Sequence, residues 1–400
     1  MLSAEEKTQI CRKYVLKCGI CETENEYFRL KRDIVQAAKT EGDGHALSYK
    51  WSKPGFDAVN PLDFYFGVCS KCTFTGELDD ADFRQAERNI KQYREGIHAD
   101  GFRGLLTGMS TGSGIGQALS KRLGDPDPLV VVVAQFHLGI FCQCLRQKLV
   151  PGSIARYYLR LAWIYRDIEK FYPDSTVEQV APKFVKLAKR FQLELPKHKD
   201  YPAVPALALT EVDALRFART YFERNYETLR EARVEDELRL RYLLAEIGYR
   251  LYELTDSADD FKKAAAYFSG TMQQCLSIVS DKSIVGGAVN RAKEMLEKAG
   301  ERGRELRILN KQRGSGDKSA EGKAAAKAKK VKATVKAAEE TSAEPVKTVP
   351  EKSAAAKVDS AAAGQGDTLQ DEVQRLQGRV KELEDENKRL KQMIRKARAG

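Results

Sequence analysis

Cys18-Gly19-Ile20-Cys21 and Cys69-Ser70-Lys71-Cys72 are the two stretches on which the reading of this chain turns. Each is a knuckle in which two thiolates, spaced two residues apart, can reach one tetrahedral ion at about 2.3 Å. Four thiolates close the coordination sphere and leave no position for substrate, so Cys18, Cys21, Cys69 and Cys72 are expected to hold a structural Zn2+. The connecting loop, residues 22–68, is longer than the roughly 15–20 residues of the common four-cysteine pattern, so it must contain strands of its own. Glu26-Tyr27-Phe28-Arg29-Leu30 and Ala46-Leu47-Ser48-Tyr49-Lys50-Trp51 read as strands on either side of the turn-forming Glu41-Gly42-Asp43-Gly44. The aromatic run Asp63-Phe64-Tyr65-Phe66-Gly67-Val68 leads into the second knuckle, and the expectation over 1–82 is a small zinc-pinned β-sheet. Disulfides, four unconnected thiols, or a thiol redox pair at Cys18 and Cys21 are the alternatives. The redox reading lacks the βαβ context that lowers a thiol pKa at a helix start.

Beyond residue 83 helical periodicity takes over, and 83–310 is read as an irregular, tetratricopeptide-like helical body. Ile154, Tyr157, Tyr158, Leu161, Ala162 and Tyr165 recur at three- and four-residue steps and give one apolar face. Pro151-Gly152 reads as a break and Ser153 as a cap. Trp163 lies off that stripe and is expected to face a second helix. Leu238 to Leu254 and Phe261 to Ile278 form a helix pair around a capped turn at 255–260, with Ala264 and Phe268 one turn apart as in tetratricopeptide hairpins. Thr210 to Ala232 and Val285 to Ile308 are helices without a fixed period. The longest apolar stretch, Leu129 to Leu145, contains Gln135, His137 and Gln143, which argues for a buried helix over a membrane span.

Thr107-Gly108-Met109-Ser110-Thr111-Gly112-Ser113-Gly114-Ile115-Gly116 imitates the glycine-rich turn of short-chain dehydrogenases. Its context disagrees. Phe102 to Leu106 is a poor strand, no acidic residue ends a strand about 20 positions later, and the only Tyr-x-x-x-Lys spacings precede the turn. The stretch reads as a loop opening the helix at Gln117 to Arg122.

The formal charge of +11 suggests nucleic acid until it is located. Between 311 and 357 twelve Lys or Arg stand against six acidic residues, so over half of the excess lies on a Lys/Ala-rich stretch that cannot offset its chain entropy by burial. Residues 311–367 are therefore expected to be a disordered tether, kept soluble by lysine and capable of weak, salt-sensitive nucleic-acid contacts. Residues 368–397 carry a heptad pattern, with Leu369, Leu376, Leu383 and Leu390 at d and Val373, Val380, Asn387 and Ile394 at a. β-Branched a residues, Leu at d and one Asn at a point to a parallel two-stranded coiled coil. A basic-zipper DNA reader is rejected, because Ala361 to Gly366 interrupts the helix and Asp367 and Asp371 stand where its basic region belongs. The N-terminus has no apolar signal core, and eight cysteines without one place the chain in a reducing cytoplasm.

The order of these elements resembles the uncharacterised bacterial family called domain of unknown function 2225. The stretches that carry the resemblance are Cys18 to Cys21, Asn60 to Phe74, Arg160 to Arg166 and the late helix pair near Tyr249 to Ser280. It covers roughly residues 10 to 305 and leaves tether and zipper outside. It implies a paired-knuckle metal site followed by tetratricopeptide-like helices, with no established activity. The family's knuckles usually read Cys-Pro-x-Cys-Gly, whereas Glu22 and Thr73 stand here in place of the trailing Gly and no Pro is present.

The chain is accordingly expected to be a cytoplasmic, zinc-stabilised helical scaffold that dimerises through its zipper and binds protein partners on its helical body. The alternative is a zinc-containing nucleic-acid binder using the first module and the tether. An enzyme is the least favoured class, since His45, His98, His137 and His198 are scattered and no nucleophile–base spacing stands out.

Overall fold

Short local signals decide the N-terminal elements. In the computed structural model, which describes residues 2–78, 90–196, 204–229, 234–281, 283–284 and 286–315, Ser3 and Glu6 form a reciprocal capping box that starts α1, Ala4–Ile10. β1, Cys11–Lys17, pairs antiparallel with β2, Glu24–Leu30, and the register ends at Lys17 opposite Glu24. The first knuckle is thus the tip of a hairpin. β3, Val35–Thr40, and β4, Ala46–Trp51, make a second hairpin around the turn at Glu41–Gly44. β5, Phe66–Val68, and β6, Thr75–Glu77, make a third, with the second knuckle at its tip.

Two expectations change here. The strands do not join one sheet; they form three separate two-stranded sheets, and the partner of β2 is the unpredicted β1. Asp63-Phe64 is not strand either. Asn60 accepts a hydrogen bond from the Leu62 N–H at 3.0 Å and Pro61 sits in the first turn, so Pro61–Phe64 closes into a 3-10 turn before β5 begins.

The body is helical: α2 Ile90–Glu95, α3 Ala99–Thr111, α4 Ile115–Ser120, α5 Pro128–Cys144, α6 Pro151–Arg166, the single turns α7 Ile168–Phe171 and α8 Val177–Val180, α9 Pro182–Leu193, α10 Glu211–Leu229, α11 Val234–Thr255, α12 Ala258–Ser280 and α13 Gly287–Ser315. α5 is the buried helix expected of its apolar run: every residue is buried except Pro128, Val131 and Gln135. α6 begins at Pro151, not after it, because proline's fixed φ and missing N–H suit a first helical position. From α10 onward each helix packs on its chain neighbour, and α6 lies against α10. Ser257 caps α12, and Ala264 and Phe268 are buried beside Tyr242 and Tyr249 of α11, the interlock anticipated for that pair. One apolar core runs from Leu16, Cys18 and Ile20 through α5 and α6 to Leu251. No helix among the described residues is long and apolar enough to cross a membrane.

The chain divides into two units, Met1–Ala343 and Glu344–Gly400, and every described residue belongs to the first. The boundary expected at 82, the tether beyond Ser315 and the zipper from Leu369 to Ile394 lie outside the described residues.

Candidate metal centre

The two knuckles are built alike. In the first, Cys18 N–H donates to Thr23 O at 2.9 Å and Glu22 N–H donates to Cys18 O at 2.9 Å. In the second, Cys69 N–H donates to Phe74 O at 2.8 Å and Thr73 N–H to Cys69 O at 3.0 Å. This double bond pattern turns the backbone sharply enough to point both sulfurs of a pair the same way. It also forces the residue after each second cysteine into the left-handed region, with φ 59° at Glu22 and 64° at Thr73. These are the positions where glycine would meet no penalty.

The knuckles face each other and bring all four sulfurs within 4.8 Å of one another. The closest sulfurs cross between the knuckles, Cys18 to Cys72 at 3.6 Å and Cys21 to Cys69 at 3.5 Å. A tetrahedron with ligands at 2.3 Å places its sulfurs about 3.8 Å apart, so the donor set fits a single tetrahedral ion. Cys18, Cys69 and Cys72 are buried and Cys21 is half-buried, and all four are free of disulfides. Hydrogen bonds with the Cys18 and Cys72 thiols lower Cys69, and those with Cys18 and Cys69 raise Cys72.

Side chains around the cluster fix it. Asn25 bridges the knuckles: its Nδ2 lies 3.5 Å from Cys69 Sγ and donates to Thr23 O at 2.8 Å, while its Oδ1 accepts from Ser70 N and Oγ at 2.9 and 2.8 Å. Arg94 of α2 donates to Gly19 O at 3.0 Å, Ile20 O at 2.8 Å and the Glu22 carboxylate at 2.7 Å, gripping the first knuckle from outside. The other four cysteines are in the core: Cys142 Sγ accepts from Thr75 N at 3.3 Å, and Cys11, Cys144 and Cys275 are buried.

The glycine-rich stretch has a different purpose from the one it imitates. Glu194 Oε2 accepts from Ile115 N at 2.6 Å, so a carboxylate already occupies the start of α4 where a phosphate would lie. A Cβ on Gly116 would stand 2.7 Å from Thr73 Oγ1, so this glycine lets α4 close on the second knuckle.

A second polar cluster escaped sequence reasoning. The tip Glu41-Gly42-Asp43-Gly44-His45 inserts among the helices. His45 Nδ1 meets Glu41 Oε2 at 2.7 Å and its Nε2 meets Asp167 Oδ2 at 2.9 Å. Burial opposes charge on this ring, but bonds to Asp167 and Glu41 outweigh it and raise His45 to about 9. The bond from His45, with Arg166 nearby, lowers Glu41 to about 2. Arg166 Nη1 pairs with Glu41, its Nη2 lies 3.2 Å from Asp43, and its Nε donates to Glu211 at 2.8 Å. Trp163 packs against the core, its Nε1 donates to Asp43 at 3.1 Å and its ring flanks Gly44. A Cβ on Gly42 would collide with the Glu246 carboxyl, which is buried and held by Arg302 at 3.0–3.1 Å. His137 is elsewhere, buried in α5 and accepting from Ala208 N at 3.1 Å, and His98 directly precedes α3; His198 lies outside the described residues.

Fold and site together define a mainly helical protein whose first and third hairpins carry a four-cysteine, metal-type cluster at their tips. The chain belongs to the family described as "Uncharacterized protein conserved in bacteria (DUF2225)", whose model matches residues 12–335. The match starts near the expected limit and runs past residue 305 into the Lys/Ala-rich stretch. No curated protein and no solved structure matches the chain.

Proposed function

We propose that the protein is a non-catalytic scaffold in which Zn2+ on Cys18, Cys21, Cys69 and Cys72 locks the N-terminal hairpins, the helices present a surface to protein partners, and Leu369 to Ile394 form a dimeric zipper. The observation that carries it is the crossed set of four sulfurs at tetrahedral spacing. An all-thiolate donor set selects zinc over harder cations, and four ligands leave the ion no open position. Its role is to stabilise the fold, because without it buried thiols face one another with no covalent or ionic link.

The test is elemental analysis of the purified full chain beside a Cys18→Ser/Cys69→Ser variant. About one zinc per chain is expected in the native protein and none in the variant, with melting lowered by 10 °C or more. A native protein free of zinc, or a variant that keeps both its metal and its melting point, would sink the proposal.

A further inference from the structure

A cavity of about 600 Å³ lies between the N-terminal hairpins and α5. Its size falls in the range of small-molecule sites. Phe64, Phe66, Val59, Val132 and Phe171 make apolar walls. The three residues of α5 that are not buried, Pro128, Val131 and Gln135, all line this space. An otherwise fully packed helix thus leaves uncovered only the positions that border the cavity.

Three acids line the cavity, Glu6, Glu26 and Asp63, and Asp63 is the one set among its aromatic walls. Asp63 Oδ1 accepts from the Tyr172 hydroxyl at 2.5 Å, and Oδ2 has no hydrogen-bond partner among the described residues. Tyr172 has a single proton and has committed it, so further charge balance for Asp63 must come from elsewhere. The other two acids on the lining have partners of their own. Glu26 of β2 pairs with Lys13 at 2.5 Å, Glu6 of α1 accepts from Ser3 N at 2.7 Å, and Lys7 Nζ lies 5.9 Å over the Phe28 ring. α5 and α7 bring no charge to the cavity. Burial raises Asp63 to about 7, against the bond from Tyr172 and the weaker pull of the N-terminal ammonium.

We propose that this cavity binds a small primary amine with an apolar body, its ammonium on Asp63 and its hydrocarbon against the aromatic walls. A carboxylate ligand would meet Asp63, Glu6 and Glu26 with only Lys7 in compensation. A neutral alcohol would satisfy Oδ2 but leave the charge unbalanced, so it binds more weakly. Phe66 and Val68 line the cavity and lead into Cys69, and Tyr27 follows from the first knuckle, so the site is built on the metal-held hairpins.

Calorimetric titration of the full, metal-loaded chain tests this, with phenethylamine and isopentylamine as probes and 2-phenylethanol and 3-phenylpropionate as the neutral and anionic comparisons. One amine per chain is expected, at least tenfold tighter than the alcohol, with no binding of the acid. Binding should tighten about tenfold from pH 6 to pH 8 as Asp63 ionises, weaken at least tenfold in Asp63→Asn, and vanish in Val131→Trp, which fills the cavity. Failure of both amines to bind overturns the proposal, as does equal affinity for amine and alcohol, tighter binding of the acid, or undiminished binding in Asp63→Asn. Should Asp63→Asn not fold, the pH series and Val131→Trp decide the question on the native site.

Discussion

At Glu22 and Thr73 the knuckles demand a backbone that L-residues adopt only at a penalty of about 1–2 kcal/mol each. Thr73 is buried against Gly116 and cannot be trimmed without leaving a void, but Glu22 is half-exposed and its bond to Arg94 is worth under about 1 kcal/mol. Glu22→Gly is therefore expected to stabilise the metal-loaded protein by up to about 1 kcal/mol, read as a higher urea midpoint; a lower midpoint would refute the strain argument. Both positions were visible beforehand as departures from the family's trailing glycine, whereas their φ values needed the fold. His45 gives a prediction of the other kind. Its folded pKa of about 9 lies above the ordinary 6.5, so its stabilisation is complete below pH 6.5 and is lost as pH rises through 9. The loss should approach about 3 kcal/mol, and His45→Gln should abolish that part of the slope when unfolding is compared at pH 6 and 9.5. Glu41 works oppositely, being depressed to about 2, so its contribution holds above pH 4.5 and fades as pH falls towards 2.

Among elements, the β3–β4 hairpin is the piece whose placement is least local. Gly42 stands against Glu246, and a methyl there must displace a buried carboxylate bound to Arg302. Gly42→Ala should lower stability by about 2 kcal/mol while leaving metal content unchanged. Loss of metal in that variant would mean that the hairpin tip and the knuckles are not separable, against the geometry here. The turn at Glu41–Gly44 was legible from its composition, as were α5, α6 and the α11–α12 pair from their periodicity. The docking of the tip was not, because its partners lie more than a hundred residues away on helices whose relative placement no periodicity encodes. β1 was missed for a related reason: Cys11-Arg12-Lys13-Tyr14-Val15-Leu16-Lys17 mixes charged and apolar residues without clean alternation, and it is a strand because β2 lies beside it. The clustering of the four cysteines was legible to the residue, since a two-residue cysteine spacing is set by a tetrahedral ion's geometry and not by the surrounding fold. Asp63 and Tyr172 were illegible, being neighbours only in space.

For the whole molecule, the heptads from Leu369 to Ile394 carry the proposal of a dimer. A chain shortened to end before residue 368 should run as a monomer by light scattering, with the helical body melting as before. A shortened chain that stays dimeric would move the interface onto the body. Asn387→Leu should tighten association and loosen control of strand number, because a buried asparagine at a selects two parallel strands at the expense of stability. The heptad spacing is as plain as the knuckles, while the surface that meets other proteins depends on which helix faces remain uncovered.

The contact between Gly42 and Glu246 also sets a timetable. A chain made from its N-terminal side has completed the four-cysteine set once Cys72 has emerged. At about 5–20 residues per second, Glu246 follows Gly42 by roughly 10–40 s. During that interval the hairpin tip has no seat, while the knuckles already have every ligand they need. The four-cysteine set is thus complete in sequence well before the tip can dock, and docking of the tip has to wait for the helices.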